Sequence, residues 1–271
     1  MPRLIVTDLD GTLLTEDRVV SSDTIDTFRR LSALGNFFAI ASGRHYVDVR
    51  GVRDALGVPA YIISSNGALA HGPDDSLLYE RHIDATVVRT ILKIQLPSAI
   101  VRNVYTSAEW LIDRESPELL ALNPNSGFKY LVTPLEDFSG RQVTKLDFVG
   151  KPAELKKLEE VIGDQCGNSV ATTYSRPGCF EVMASGVSKG VALTSVMELM
   201  EVKPDAVLAF GDNLNDIEML RVASNPHVMG NAHPKLFELF PKAKHIGHNN
   251  EDAVAVTLRQ LLLSSDQSSQ E

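Results

Sequence analysis

Short apolar runs that end abruptly in polar clusters recur along the chain. Leu4-Ile5-Val6 runs into Thr7-Asp8-Leu9-Asp10-Gly11-Thr12, and Phe37-Phe38-Ala39-Ile40-Ala41 into Ser42-Gly43-Arg44. Tyr61-Ile62-Ile63 leads to Ser64-Ser65-Asn66-Gly67, and Ala206-Val207-Leu208-Ala209-Phe210 to Gly211-Asp212-Asn213-Leu214-Asn215-Asp216. Each run has the length of one strand, and its continuous apolar character marks a strand buried on both faces, as in parallel sheets covered by helices. Helical patterns intervene near 21–34, opened by Ser21-Ser22-Asp23 as cap signals, and near 46–56. A hairpin is predicted over 68–81, turning at Gly72-Pro73-Asp74-Asp75. In parallel sheets ligands sit beyond the carboxyl ends of the strands, so the four polar clusters converge on one site.

The pattern changes at residue 84. Helical patterns near 85–96 and 153–162 alternate with strand runs at 100–105, 109–113, 142–149, 168–174 and 179–184, which predicts an α+β module with an antiparallel sheet. From 188 the earlier alternation returns, with a helix over 189–201, a strand over 206–210, a helix over 214–223 and a strand near 227–229. Residues 1–83 and 186–271 are therefore expected to form one discontinuous core, with 84–185 inserted in it. Residues 264–271 are polar and read as a frayed tail.

With 271 residues and 44% hydrophobic content, the chain can build a large α/β core and a second, smaller domain. A net charge of −9 argues against nucleic acid as a partner, since such binders track phosphates with basic surfaces. No apolar stretch approaches the ~20 residues of a membrane span, and the N-terminus lacks the basic, apolar and small-residue regions of a signal peptide. The expectation is a cytoplasmic protein without a membrane partner. Cys166 and Cys179 are not a CxxC pair and read as free thiols away from the polar site. His245-Ile246-Gly247-His248 lacks a third ligand at a zinc-site spacing and reads as loop.

Asp8 and Asp10 stand two residues apart at a strand end. Carboxylates held so close repel unless a cation or a shared proton offsets their charge. A hard divalent ion with oxygen ligands, Mg2+, is the simplest offset. The competing reading makes both residues turn and cap formers, because Asp and Gly favour loops for conformational reasons. Lys189 weighs against that reading: a cation in the first turn of a helix opposes the dipole unless an anion meets it. Ser42, Asp212 and Asp216 each fit a helix-cap role when taken singly.

Asp8-Leu9-Asp10-Gly11-Thr12, Ser42, Lys189 within Val187-Ser188-Lys189-Gly190, and Gly211 through Asp216 occur in an order and spacing that resemble the haloacid dehalogenase superfamily. Within it, the chain is similar to the class IIB, Cof-type sugar phosphatases. Met229-Gly230-Asn231-Ala232 looks like a further signature of that family, whereas Ala253 stands where many relatives have Gly and puts a local turn or helix start in question. The resemblance implies a Rossmann-like doubly wound parallel sheet core with an inserted α+β cap domain of class C2, which selects the substrate.

The chemistry this implies is hydrolysis of a small phosphate ester in two steps, with Asp8 as nucleophile forming an aspartyl phosphate and Asp10 as general acid and base. Lys189 and Ser42 would bind the transferring phosphoryl group, joined by Gly43, Arg44 and Asn215. Mg2+ would be held by Asp8, by Asp10 through its backbone carbonyl, and by Asp212, with Asp216 orienting the shell from behind. Arg44 is expected to contact substrate or a cap carboxylate, with a surface salt bridge as the alternative. Lys145 and Glu181 match residues that family members carry on cap strands and can reach across the crevice. Two rival functions use similar chemistry. A phosphorelay receiver is about half this length and lacks the inserted module. A phosphomutase of the same superfamily shares the aspartyl-phosphate step and is separated by an assay for free phosphate.

Overall fold

The computed structural model describes residues 2–121 and 127–263, so the predicted tail at 264–271 lies outside the described residues. The first unit runs β1 (Leu4–Thr7), α1 (Ser22–Ala33), β2 (Phe37–Ala41), α2 (Tyr46–Leu56) and β3 (Tyr61–Ser64). Ser21 caps α1 by accepting from Thr24 N–H at 3.0 Å, and Gly57 closes α2 in the left-handed region at φ 67°. The predicted hairpin forms as β4 (Leu69–His71) and β5 (Leu77–Glu80). It does not stand apart: β4 pairs antiparallel with β3 and extends the same sheet.

The inserted segment contains α3 (Ala85–Leu92), β6 (Val101–Thr106), β7 (Trp110–Ile112), α4 (Pro117–Leu120), β8 (Tyr130–Val132), β9 (Val143–Val149), α5 (Pro152–Cys166), β10 (Val170–Arg176) and β11 (Cys179–Ala184). These strands form a six-stranded sheet in the order β10-β11-β9-β6-β7-β8. The expectation of an antiparallel sheet is corrected at one edge, where β8 runs parallel to β7, with Trp110 opposite Tyr130. The predicted helix over 85–96 is also shorter, because the chain turns ahead of Pro97, which cannot continue a helix.

The last part supplies α6 (Lys189–Leu199), β12 (Val207–Gly211), α7 (Ile217–Val222), β13 (Asn225–Val228), α8 (Pro234–Leu239), β14 (Lys244–His245) and α9 (Ala253–Leu258). The predicted helix over 214–223 divides into a single tight turn at Leu214–Asp216 and α7, because Asn213 and Asp216 form a reciprocal capping box. Ala253 begins α9 normally, since the left-handed residue there is Asp252, at φ 51°. The core sheet has the order β14-β13-β12-β1-β2-β3-β4-β5. From β14 to β3 all neighbours are parallel. Because β1 is flanked by β2 on one side and β12 on the other, the strand order reverses there, and the crevice opens beyond its carboxyl end.

Each sheet has its own apolar core. Phe28, Phe38, Ile5 and Phe210 belong to the cluster around the parallel sheet. Ile91, Leu146, Phe148 and Leu158 belong to a separate cluster, where α3 and α5 cover the inserted sheet. No helix among the described residues is long and apolar enough to cross a membrane.

Candidate active site

Asp8 follows β1 and is anchored by its N–H, which donates to Phe210 O of β12 at 3.0 Å. Its carboxylate meets Lys189 from the first turn of α6, with Nζ donating to Asp8 Oδ1 at 2.6 Å and to Asp216 Oδ1 at 2.6 Å. Lys189 and Asp216 are completely buried. The ammonium at the positive end of α6 is thus offset by two carboxylates. Burial pulls the Lys189 pKa down, but the charges of Asp216 and Asp8 outweigh it and hold the amine protonated, above its usual range.

Asp216 has no oxygen to spare, since its Oδ2 accepts from the N–H groups of Asp212 and Asn213, each at 3.0 Å. It orients the Gly211–Asn213 turn and Lys189 together. Asp212 comes forward into the cleft, its Oδ1 accepting from Thr12 Oγ1 at 2.7 Å. Gly11 makes this approach possible: a Cβ there would lie 2.5 Å from Asp212 Oδ2, and its φ of 83° already favours glycine. The same turn is clamped from behind by Asn231, whose Nδ2 donates to Gly11 O at 2.7 Å, which is what the Met229–Ala232 segment does structurally.

Asp8, Asp212 and Asp216 place carboxylate oxygens within 4.8 Å of one another. Asp8 Oδ2 and Asp212 Oδ2 receive no hydrogen bond among the described residues. Burial raises Asp8 well above the usual carboxylate range, with the charges of Asp216 and Asp212 adding to it against Lys189. Burial and the Asp216 charge push Asp212 up to about 7. One ammonium therefore does not balance three carboxyls, of which Asp8 and Asp216 are buried and Asp212 partly so. A hard divalent cation at the two open oxygens suits both the donor chemistry and the charge.

Asp10 is placed differently from its neighbours. Its carboxylate is not part of the Asp8, Asp212 and Asp216 group and is 47% exposed, and it takes both arms of the Arg44 guanidinium, with Nε donating to Oδ2 at 2.6 Å and Nη2 to Oδ1. Of the contacts expected for Arg44, the structure shows the salt bridge rather than a cap carboxylate, and the partner is the second Asp of the Asp-x-Asp pair. Ser42 is buried, and its Oγ accepts from Arg44 N–H at 3.2 Å. Its own hydroxyl proton stays available to an acceptor in the cleft. Gly43 and Asn215 line the same cleft, which has a volume of about 320 Å³.

The opposite wall comes from the inserted sheet. Lys145 on β9 donates to Gly43 O at 2.8 Å and to Glu181 Oε1 on β11 at 2.9 Å, so both residues do reach the crevice. Asp147, on the same strand face, is pushed up to about 7 by burial, against the pull of Lys145. Tyr105 and Trp110 stack with ring centroids 5.6 Å apart and line the cleft beside them. Cys179 also lines it, with its thiol close to the Asp147 and Glu181 carboxylates. Placing both cysteines away from the site was therefore wrong for Cys179, because the β11–β9 pairing sets it opposite Val149 at the cleft end of the sheet.

Sequence reasoning passed over two residues that bind the walls together. His45 Nε2 lies 3.1 Å from Thr106 O of β6, and burial lowers its pKa to about 4. Asn66 links Asn215 to Glu181. Asn66 lies in the Ser64-Ser65-Asn66-Gly67 cluster already singled out and His45 directly follows Ser42-Gly43-Arg44, so their position was the available signal. His245 ends β14, and His248 opens the turn at Asn249–Glu251.

The profile of the haloacid dehalogenase-like hydrolases matches residues 5–258. The chain is 33% identical over 255 residues to an HMP-PP phosphatase of Enterobacter sp. (strain 638), covering 94% of each protein. Among solved structures, TM0651 from Thermotoga maritima superposes with a TM-score of 0.82 at 27% identity, over 96% of this chain and 98% of that one. An HAD subclass IIB sugar phosphatase shares the fold with a TM-score of 0.82 at 19% identity, over 95% of this chain and 98% of that one. Relatives that match nearly the whole chain are named phosphatases, and the chain belongs to the haloacid dehalogenase-like hydrolases.

Proposed function

We propose that this phosphatase is a Mg2+-dependent phosphomonoester hydrolase that works through an aspartyl phosphate on Asp8 and acts on small phosphorylated metabolites. The observation that carries the reading is the Lys189 ammonium bridging Asp8 and Asp216 at 2.6 Å each, with Asp212 held alongside. Asp8 and Asp212 would hold the metal, joined by the backbone of Asp10, and the bound ion would supply charge neutralisation for the nucleophile and the phosphoryl oxygens. Lys189 fixes the Asp8 carboxylate so that its open oxygen faces the cleft. The Ser42 hydroxyl, the Asn215 amide and the Gly43 N–H bind phosphoryl oxygens, where charge must be balanced, and the Arg44 guanidinium joins them once it leaves Asp10. Asp10, once released from Arg44, protonates the leaving oxygen and then takes a proton from the attacking water.

The segment 84–185 acts as the cap that selects the leaving group, because the polar and aromatic groups opposite Asp8 come from its sheet. Sugar phosphates fit this wall, where the Tyr105–Trp110 stack lines the cleft beside the polar groups Lys145 and Asp147. HMP-PP is the second reading, favoured by the name of relatives that align along nearly the whole chain. Localisation in the cytoplasm follows from substrates of this kind. The test is phosphate release from a panel of sugar phosphates and HMP-PP, with and without Mg2+. Conversion of a sugar phosphate to its isomer without free phosphate would instead establish a mutase.

A further inference from the structure

Several side chains join the two walls of the cleft, His45 to Thr106 O, Lys145 to Gly43 O and Asn213 to Ser175 O among them, and Asn66 is the one that also holds Asn215. Asn66 lies in the tight turn Ser65–Gly67 that follows β3, in the left-handed region at φ 57°, and is 2% exposed. Its Oδ1 accepts from Asn215 Nδ2 at 3.0 Å, and its Nδ2 donates to Glu181 Oε2. The orientation of this amide is dictated by its neighbours: an ionised Glu181 only accepts, and the Asn215 group facing Asn66 is a donor. Glu181 in turn accepts from Lys145 Nζ and Ser175 Oγ at its other oxygen, Oε1, each at 2.9 Å. Lys145 closes the circuit on Gly43 O at 2.8 Å. The chain Asn215–Asn66–Glu181–Lys145–Gly43 therefore begins and ends on cleft-lining groups of the core and passes through the cap between them.

We propose that Asn66 is a positioning residue that couples docking of the cap, through Glu181, to the orientation of Asn215 in the phosphate site. When Glu181 is seated, Asn66 is held with its carbonyl toward Asn215, and the Asn215 amide is fixed at the cleft. When the cap lifts, Asn66 loses its charged acceptor, and Asn215 loses its anchor. A leaving group that lets the cap seat is thus rewarded with a completed phosphate site, so selection by the cap registers at the core. The inference rests on the phosphate-binding role proposed above for Asn215.

The test exchanges donor and acceptor across the junction. Asn66→Asp sets carboxylate against carboxylate and should lower kcat/KM for p-nitrophenyl phosphate about 10- to 100-fold, the cost of losing a hydrogen bond to a charged group and leaving it unpaired. Adding Glu181→Gln reverses the bond: the new amide nitrogen replaces Oε2 and donates to the new carboxylate, while Lys145 and Ser175 keep their acceptor. The double variant should recover to within about threefold of wild type, since net charge and all partners are conserved. Asn66→Gly, which suits a positive φ, should lower kcat about tenfold in the wild-type background but less than twofold in Asn215→Ala, because its effect runs through Asn215. A purely structural role would act equally in both backgrounds. Thermal melts accompany each assay, and if Asn66→Asp does not fold, the Asn66→Gly cycle decides alone. No recovery in a folded double variant, or equal losses in the two backgrounds, overturns the coupling. Wild-type kcat/KM in Asn215→Ala removes the phosphate role of Asn215 itself, whereas an impaired Asn215→Ala beside unaffected Asn66 variants removes only the relay.

Discussion

Lys189→Met is the most informative single perturbation, because it deletes one charge and nearly nothing else. The side chain keeps most of its length, while Asp8 and Asp216 lose a cation 2.6 Å from each. At an effective dielectric constant of about 20, each pair is worth about 6 kcal/mol of gross attraction, much of it offset by the desolvation of three ions. What counts is what remains: two carboxyls in a site where Lys189 and Asp216 have no solvent exposure. Removing one partner of such a buried pair costs about 3–5 kcal/mol, against a total stability of about 5–15 kcal/mol for a domain. Urea unfolding should therefore show a strongly lowered midpoint with an unchanged slope, and phosphate release should be lost. Adding Asp8→Asn to Lys189→Met removes one orphaned carboxylate and should restore part of the stability, so the pair of substitutions is non-additive. Additive losses, or a midpoint for Lys189→Met equal to wild type, would refute the account of Lys189 as the cation that balances this site.

Asp8→Asn alone should abolish phosphate release while melting like wild type, because the amide is nearly isosteric and Lys189 retains Asp216; turnover near wild type in a phosphate-release assay would exclude the covalent route. Chelation with EDTA should silence the enzyme, and Asp212→Ala should raise the Mg2+ concentration needed for half-maximal rate; full activity in chelator contradicts the proposed metal site. Gly11→Ala should act in the same direction as Asp212→Ala, since its Cβ would meet Asp212 Oδ2 at 2.5 Å, and an unchanged Mg2+ titration would show that the turn relaxes freely. His45 and His227 are both buried with pKa values lowered to about 4. Between about 4 and the unfolded value of about 6.5 the unfolded chain binds more protons, so stability rises with pH across that window and is lost as pH falls through it, by up to about 3 kcal/mol per histidine. Urea midpoints of His227→Gln should flatten in that window, and an unaltered slope would place the acid sensitivity elsewhere.

The parallel core was legible because its strands are uninterrupted apolar runs, and each discharges its polar residues at one end. Leu4-Ile5-Val6 and Val207-Leu208-Ala209 carry that signal without help from any partner, and they are the strands that pair in register. The edges were less visible. β8 is three residues long, carries the exposed Leu131 and Val132, and is specified by its pairing to β7 rather than by its own composition. The direction of such a strand depends on the connection that brings it back, which no local pattern encodes.

The site divides along the same line. Asp8, Asp212, Asp216 and Lys189 announced themselves through identity and spacing, because a cation at a helix start and acids at strand ends are costly unless they meet. Asn66 and His45 are neutral, belong in loops for ordinary conformational reasons, and gain significance only from residues at least 61 positions away in sequence, Thr106 for His45 and Glu181 for Asn66. Glu181 shows why this matters. On β11 it is one polar residue within an apolar strand, which could equally be a partnered core acid or a group aimed at substrate. The structure makes it the acceptor for Asn66, Lys145 and Ser175 together. A carboxylate with that many donors is positioned rather than reactive, and on the same wall its neighbour Asp147 is less completely paired, with Oδ1 within ion-pair distance of Lys145 but outside hydrogen-bonding geometry. If this wall selects the leaving group as proposed, Asp147 is its polar contact to substrate, while Glu181 holds the wall against the core.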